Sequence, residues 1–283
     1  MKLSRIGIAA AVLVTMITAS GCGVINRIRA KNELNEGARA YKQNRYAEAQ
    51  QHFEKAMELD PSQPNAPLFR ARAIHMQYRP GVDTPENRAK AEEAIKSYQE
   101  ILKKNPNEET AYSAVVALYG QLKEDDKQRE WLTQRANLET IPSEKRSDAY
   151  TILASKEWNC SFTITELPES KTTVTKPDGK TVIQYKKPKD QKDFEKAQQC
   201  VAKGLELVEK AIALNPNNES AWSYKTNLIQ EEVKLAEMEG KTDQKEKLAK
   251  QYEESLKRAN ELHEQKKKEK EAEAKKSPAP ATS

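Results

Sequence analysis

The sequence predicts an all-α protein: a solenoid of stacked helix hairpins carrying one small inserted β-hairpin and a C-terminal capping helix. Three observations support this. Apolar residues form 37% of the chain and charged residues 32%, with only nine glycines in 283 residues, a profile suited to amphipathic helices. Four Phe and three Trp cannot build a thick interior, so layered helices fit better than a compact enzyme barrel. Finally, helical patterns close repeatedly on DP or NP, at 60–61, 105–106 and 215–216, where the proline ring cannot continue the hydrogen-bond ladder.

The first 21 residues have a basic start (Lys2, Arg5), an apolar run IGIAAAVLVTMIT and the small residues ASG just before Cys22. An apolar run of about 13 residues is too short to cross about 30 Å of hydrocarbon comfortably and reads as a signal peptide, residues 1–21. An ordinary secretory signal with an incidental cysteine is the plainer alternative. Small residues followed by cysteine resemble the lipobox of bacterial lipoproteins, with Ala19 where that motif usually has a larger aliphatic. The resemblance implies that Cys22 is acylated and becomes the mature amino terminus, anchored in a membrane through its lipid. Gly23 in place of Asp then implies sorting to the outer membrane, facing the periplasm. Two or more acyl chains, at about 0.8 kcal/mol per buried methylene, suffice for stable anchoring. Residues 22–29 become a lipidated tether of roughly 25 Å if fully extended, with Arg27 and Arg29 able to meet anionic headgroups.

Residues 30–63, AKNELNEGARAYKQNRYAEAQQHFEKAMELDPSQ, are two helical patterns separated by QNR. Gly37 is the small position where the two helices meet, Tyr41 and Tyr46 straddle the turn, and Phe53 fills the space between Ala49 and Ala56. This unit strongly resembles a tetratricopeptide repeat. Glu33 and Glu36 stand where bulky apolar residues are usual, as expected of a first repeat with no preceding neighbour. The pattern recurs: Ala94, Tyr98 and Leu102 precede KNP, and Gly204, Val208 and Ala211 precede LNP. First helices of later repeats follow at 111–120 and 221–230, with Tyr112 and Trp222 near their starts. Weaker helices are expected at about Asp126–Leu138 and Ser143–Asn159. The repeats thus occupy 30–265.

Two loops break the pattern. RPGVDTPEN at 79–87 lengthens the second repeat's turn, and residues 166–189 interrupt the fourth. Within the latter, TTVTKPDGKTVIQY places β-branched runs around Pro-Asp-Gly, a hairpin signal. A lone hairpin is marginal in water, so Val174, Val182 and Ile183 are expected to lean on the helices or on a partner. Leu248, Tyr252, Leu256, Ala259 and Leu262 lie on one stripe of a capping helix. The charged, Pro/Ala-ended stretch 266–283 is expected to be a disordered tail.

Setting Cys22 aside leaves Cys160 and Cys200, an even pair suited to a disulfide in an oxidising compartment. The bridge would close about 41 residues, worth roughly 4 kcal/mol on chain-entropy grounds. Two buried thiols, or a redox or metal site without CxxC spacing, are the alternatives. His52, His75 and His263 are far apart in sequence, no catalytic or phosphate-binding motif occurs, and the carboxylates interleave with lysines as solvated ion pairs do. Neither an enzyme, a metal, a cofactor, a small-molecule substrate nor a nucleic-acid partner is expected.

What stacked helix hairpins do is bind. The tetratricopeptide resemblance implies a groove lined by first helices, here Leu34, Ala38, Tyr41, Ser113, Ala117, Ser223 and Asn227, able to hold a peptide or a helix of an envelope protein. One version of that groove clamps a terminal carboxylate with Lys and Asn; Leu34 and Ala38 occupy those positions, which favours a more apolar ligand. Fold and anchor together resemble type IV pilus pilotin lipoproteins and the repeat lipoprotein of the β-barrel assembly machinery, which implies a lipid-anchored scaffold in envelope, pilus or secretion assembly. An accessory regulator of cell-wall enzymes, acting through finger and tail and binding peptidoglycan-associated partners, is the alternative.

Overall fold

The computed structural model describes the backbone of residues 4–276 and the side chains of 23–273. Along these run α1 (Ser4–Lys42), α2 (Tyr46–Leu59), α3 (Ala66–His75), α4 (Pro85–Lys104), α5 (Glu109–Gln121), α6 (Asp125–Asn137) and α7 (Ser143–Thr165). Then follow β1 (Lys171–Thr175), β2 (Thr181–Tyr185), α8 (Gln191–Leu214), α9 (Glu219–Met238) and α10 (Thr242–Lys276). The side chains of the signal segment 1–21 and of Cys22, and residues 277–283 of the tail, lie outside the described residues. The chain divides into two units, Met1–Gln128 and Arg129–Ser283, with the boundary inside α6.

The DP and NP sites end helices by one shared device. Asp60, Asn105 and Asn215 each donate their backbone N–H to the carbonyl four residues back, the last bond of α2, α4 and α8. Each side chain then accepts the N–H two residues on, from Ser62, Asn107 and Asn217 at 3.1 to 3.2 Å. Proline between them forbids another helical bond, and the Asx side chain satisfies the next donor. Asn218 begins α9 by accepting the N–H of Ala221 at 3.1 Å, and Thr84 begins α4 by accepting that of Asn87 at 3.2 Å, both ordinary N-caps. Asn87 also bonds the backbone of Arg79 and Val82 at 2.7 to 2.8 Å, which ties down the lengthened second turn.

In the first unit, successive helices α1 to α5 pack each on the next. A Cβ on Gly37 would stand 2.6 Å from Phe53 Cε1, so the Phe53 ring lies directly on the α1 backbone. Phe53, 2% exposed, centres a cluster with Ala40, Ala49 and Ala73, and its burial is worth about 1.5–3 kcal/mol. Glu33, although in an apolar position of the repeat, is not idle: it accepts hydrogen bonds from Lys55 Nζ at 2.6 Å and His52 Nδ1 at 2.7 Å. Those bonds, Lys55 first, hold its carboxyl below the usual range. His52 is thus half-buried and engaged with α1.

In the second unit α7 packs on both α8 and α9, α8 on α9, and α9 on α10. Ile164, Phe194, Ala197, Val201 and Leu235 form its shared core. A disulfide joins Cys160 of α7 to Cys200 of α8, S–S 2.06 Å, in place of the free-thiol and metal alternatives.

Four expectations need correction. Residues 23–29, given a limit of roughly 25 Å if fully extended, are helical within α1 and therefore shorter, because nothing between Gly23 and Ala30 breaks a helix. The seventh helix runs six residues past Asn159, to Thr165. Residues 266–276 belong to α10: Lys, Glu and Ala are strong helix formers even without a core. On α10, Leu256 is exposed and Ser255 is buried instead, its hydroxyl 2.9 Å from that of Thr226.

Gly37→Ala is expected to cost about 1–3 kcal/mol by overpacking. Native-state amide exchange across α1 and α2 measures this, and adding Phe53→Leu should recover part of the loss.

Candidate protein-binding face

Three consecutive residues of α7 point three ways. Cys160 reaches α8 through the disulfide, Ser161 is fully buried against α9, and Phe162 faces solvent at 37% exposure. Steps of about 100° per residue produce this division. One turn earlier, Trp158 packs tilted against Phe162 with centroids 5.0 Å apart, and against Tyr224 of α9 at 6.0 Å. An aromatic surface therefore spans α7 and α9.

Beneath it lies a buried polar network. Glu231 of α9, 1% exposed, accepts hydrogen bonds from Ser161 at 3.0 Å and Thr165 at 2.7 Å on one oxygen, and from Lys234 Nζ at 2.7 Å on the other. Lys234, 5% exposed, also donates to Glu166 at 2.8 Å, and its ammonium lies 5.1 and 5.0 Å from the ring centres of Phe162 and Tyr185. Glu166 completes the set by accepting from Lys171 Nζ at 2.7 Å and Tyr185 Oη at 3.1 Å. Hydrogen bonds from Lys171 and then Lys234 lower the Glu166 pKa to about 2. Burial alone would lower the Lys234 pKa, but its bonds to Glu166 and Glu231 outweigh that and raise it.

The hairpin is held here, though not by the residues expected. Val174 and Ile183 are exposed and Val182 only half-buried; Tyr185 and Lys171 make the anchoring contacts. Position along the ribbon makes the difference: Lys171 and Tyr185 pair at its base, within reach of Glu166 and Glu237, while the apolar middle projects beyond them.

The sequence-derived groove residues separate. In the first unit Leu34 and Tyr41 pack on the Phe53 cluster, Tyr41 also against Tyr46 at 5.2 Å, so they belong to the core edge. Ala38, Ser113 and Ala117 are exposed. In the second unit Ser223 is half-buried and returns its hydroxyl to the Glu219 carbonyl at 3.0 Å. Asn227, also half-buried, sits between Tyr224 and Glu231 on the same side of α9. Trp158, Phe162 and Tyr224 were missed; the i,i+4 spacing of Trp158 and Phe162 was the available signal, hidden by ending α7 at Asn159.

A second concavity of about 630 Å³ lies among α8, α9 and α10 beside Trp222, Lys225 and Arg258. Its cations are already engaged: Lys225 with Glu209 at 2.7 Å and over the Trp222 ring at 5.0 Å, Arg258 with Asn217 at 3.0 Å. Among the described residues no helix is long and apolar enough to cross a membrane. Glu157, Cys160 and Cys200 lie close together, but both sulfurs are committed to the disulfide.

Residues 33–63, the hairpin of α1 and α2, match the tetratricopeptide repeat family. The chain carries a tetratricopeptide repeat. Residues 201–232, the end of α8 and the start of α9, match the protein prenyltransferase alpha subunit repeat, where the sequence reading placed another tetratricopeptide unit. No curated protein matches the chain. Among solved structures, MamA is 14% identical, with 90% of this chain and 98% of that one covered and a TM-score of 0.42. A TPR repeats protein from Bacteroides fragilis is 16% identical over 70% and 81%, TM-score 0.45. Pseudomonas aeruginosa pilF is 14% identical over 86% and 92%, TM-score 0.39. At such scores none of the three bears on what this chain binds.

The lowered Glu166 pKa fixes a pH dependence. A carboxylate depressed in the folded state stabilises above its unfolded pKa, about 4.3, and that stability is lost as pH falls toward about 2. Urea midpoints measured from pH 5 to 2 should fall less steeply in Glu166→Gln than in the parent chain.

Proposed function

We propose that this protein is a lipid-anchored scaffold that holds a segment of another envelope protein, as peptide or helix, against the face formed by α7 and α9. The observation that carries the reading is the aromatic surface Trp158, Phe162 and Tyr224, seated on a fully hydrogen-bonded buried network. Rigid, partly exposed aromatic rings supply contact area at low entropic cost and dominate binding energies at protein interfaces. A scaffold whose rings are fixed before binding loses little freedom on association.

The anchor is the acylated Cys22, which after sorting holds the chain at the outer membrane, facing the periplasm. Its support is the signal-like segment 1–21, the small residues before Cys22 and Gly23 after it. A disulfide between Cys160 and Cys200 suits the oxidising periplasm. Continuous helix from Gly23 to Ala30 would keep the first repeat about 12 Å from the lipid, at 1.5 Å per residue. Such a scaffold fits pilus or secretion assembly, where a subunit is held near the bilayer before it inserts.

A photo-crosslinker at position 162 in intact cells is expected to capture one protein, and Trp158→Ala to reduce that capture about tenfold or more, the loss of a hot-spot residue. Equal capture by the variant would remove the aromatic face from the account. Cys22→Ser should accumulate as an unprocessed, unacylated precursor; normal maturation would refute the anchor.

A further inference from the structure

The two edges of the β-hairpin differ. Lys171 to Thr175 pair with Tyr185 to Thr181 in antiparallel register. The flanking bonds from Lys176 N to Lys180 O at 2.8 Å and from Lys186 N to Ser170 O at 3.0 Å set the phase of the ladder. Antiparallel pairs alternate between hydrogen-bonded and non-hydrogen-bonded. Lys171, Thr173 and Thr175 on β1, and Thr181, Ile183 and Tyr185 on β2, therefore turn their N–H and C=O groups outward. On β2 that edge runs against α9, where the Tyr185 N–H donates to Glu237 at 3.1 Å. On β1 every residue from Thr172 to Thr175 is exposed.

Side chains add a direction. Thr172, Val174, Lys176, Lys180, Val182 and Lys186 share one face of the ribbon, with Val174 opposite Val182. That face is an apolar centre with lysines at both ends. Residues 171–189 contain Lys171, Lys176, Lys180, Lys186, Lys187 and Lys189 against Asp178 alone. Lys171 is taken up by Glu166, Lys187 covers the Phe194 ring at 4.7 Å and Lys189 lies 3.9 Å from Glu169, whereas Lys176, Lys180 and Lys186 are exposed, Lys180 with only a 3.9 Å contact to Asp178.

We propose that the β1 edge is a second docking surface, which takes an extended acidic segment of a partner protein as a third strand. The incoming backbone would bond the outward groups of Thr173 and Thr175. Its alternate side chains would place an apolar residue beside Val174 and carboxylates beside the flanking lysines. Charge selects this occupant. A second copy of the chain would bring lysine against lysine, and a lipid surface would leave the outward peptide groups without strand partners. A two-stranded ribbon is marginal alone, and a third strand adds ladder bonds. The inference is independent of the lipid anchor and of the aromatic face.

The test uses the full chain and the probe peptide acetyl-Thr-Glu-Thr-Val-Thr-Glu-Thr-amide. Amide exchange at Thr173 and Thr175 is expected to slow by about tenfold or more on binding, while Val174, already in the ladder, changes little. Thr173→Pro removes an outward donor without touching a ladder bond and should weaken binding about tenfold or more, as should Lys176→Glu with Lys180→Glu. Protection of the Val182 amide, which lies in the ladder opposite Val174, shows that the hairpin persists; where Thr173→Pro disturbs it, Thr175→Pro tests the same edge. The proposal is overturned by unchanged exchange at Thr173 and Thr175, or by binding that survives the proline in an intact hairpin. It is equally overturned by a dimer that Thr173→Pro dissolves in the absence of peptide. Binding to phosphatidylglycerol vesicles that the lysine reversals abolish and the proline leaves intact, without peptide binding, would assign the face to lipid instead.

Discussion

The second unit depends on one buried ion pair, Glu231 with Lys234, one turn apart on α9. Each charge is almost wholly removed from water, which costs several kcal/mol per ion unless every lone pair and proton is answered. Here they are answered from three elements: Ser161 and Thr165 of α7, Glu166 at its carboxyl end, and the rings of Phe162 and Tyr185. Such a pair adds little net stability compared with an apolar replacement, but it tolerates only one arrangement of its partners. In this protein that specificity sets how far α7 runs, where the hairpin is seated and how Phe162 is presented.

The disulfide works on the opposite side of the same helix. With Cys160 tied to α8 and Ser161 tied to α9, the turn of α7 that carries Trp158 and Phe162 is fixed from two directions, and the contacts of Phe162 with Lys234 and of Trp158 with Tyr224 hold the rings themselves in place. The exposed part of Phe162 is left for contact with something else. The Asn218 cap reinforces this at the other end of α7, where its amide donates to Ser147 at 2.9 Å and Thr151 at 3.3 Å. The helix is thus held by buried hydrogen bonds together with apolar residues such as Leu153 and Ile164, in a composition poor in Phe and Trp.

Much of the fold was legible because its signals are local. Asp60-Pro61, Asn105-Pro106 and Asn215-Pro216 stop helices through their own side chains, and Pro177-Asp178-Gly179 turns the hairpin through a positive φ at Gly179. Gly37 against Phe53 followed from the spacing of the first repeat. The disulfide was reachable by counting. The polar network was not, because Glu166, Glu231 and Lys234 look like any of the many surface Glu and Lys of this sequence; only the packing of α7 on α9 removes them from water. The anchoring of the hairpin on the helices was hidden for the same reason: an apolar pattern suggested Val174, Val182 and Ile183, leaning on the helices or on a partner, while the contacts to the helices are polar, Lys171 and Tyr185 with Glu166 and the Tyr185 N–H with Glu237, 52 residues away. Leu34 and Tyr41 lie on the helix assigned to the groove, but the thin core of the first repeat draws both inward. Helix in 266–276 is residue propensity showing through where no tertiary contact was needed, and helix in 23–29 continues α1 without a breaker.

A double-mutant cycle on Glu231→Leu and Lys234→Met tests the central pair most directly, with stability and Lys186 amide protection read together. Each single variant is expected to lose about 3–5 kcal/mol by stranding a buried charge, and the double variant much less. Both singles should also release the Lys186 amide at the base of the hairpin. Additive losses with the hairpin still protected would contradict the account.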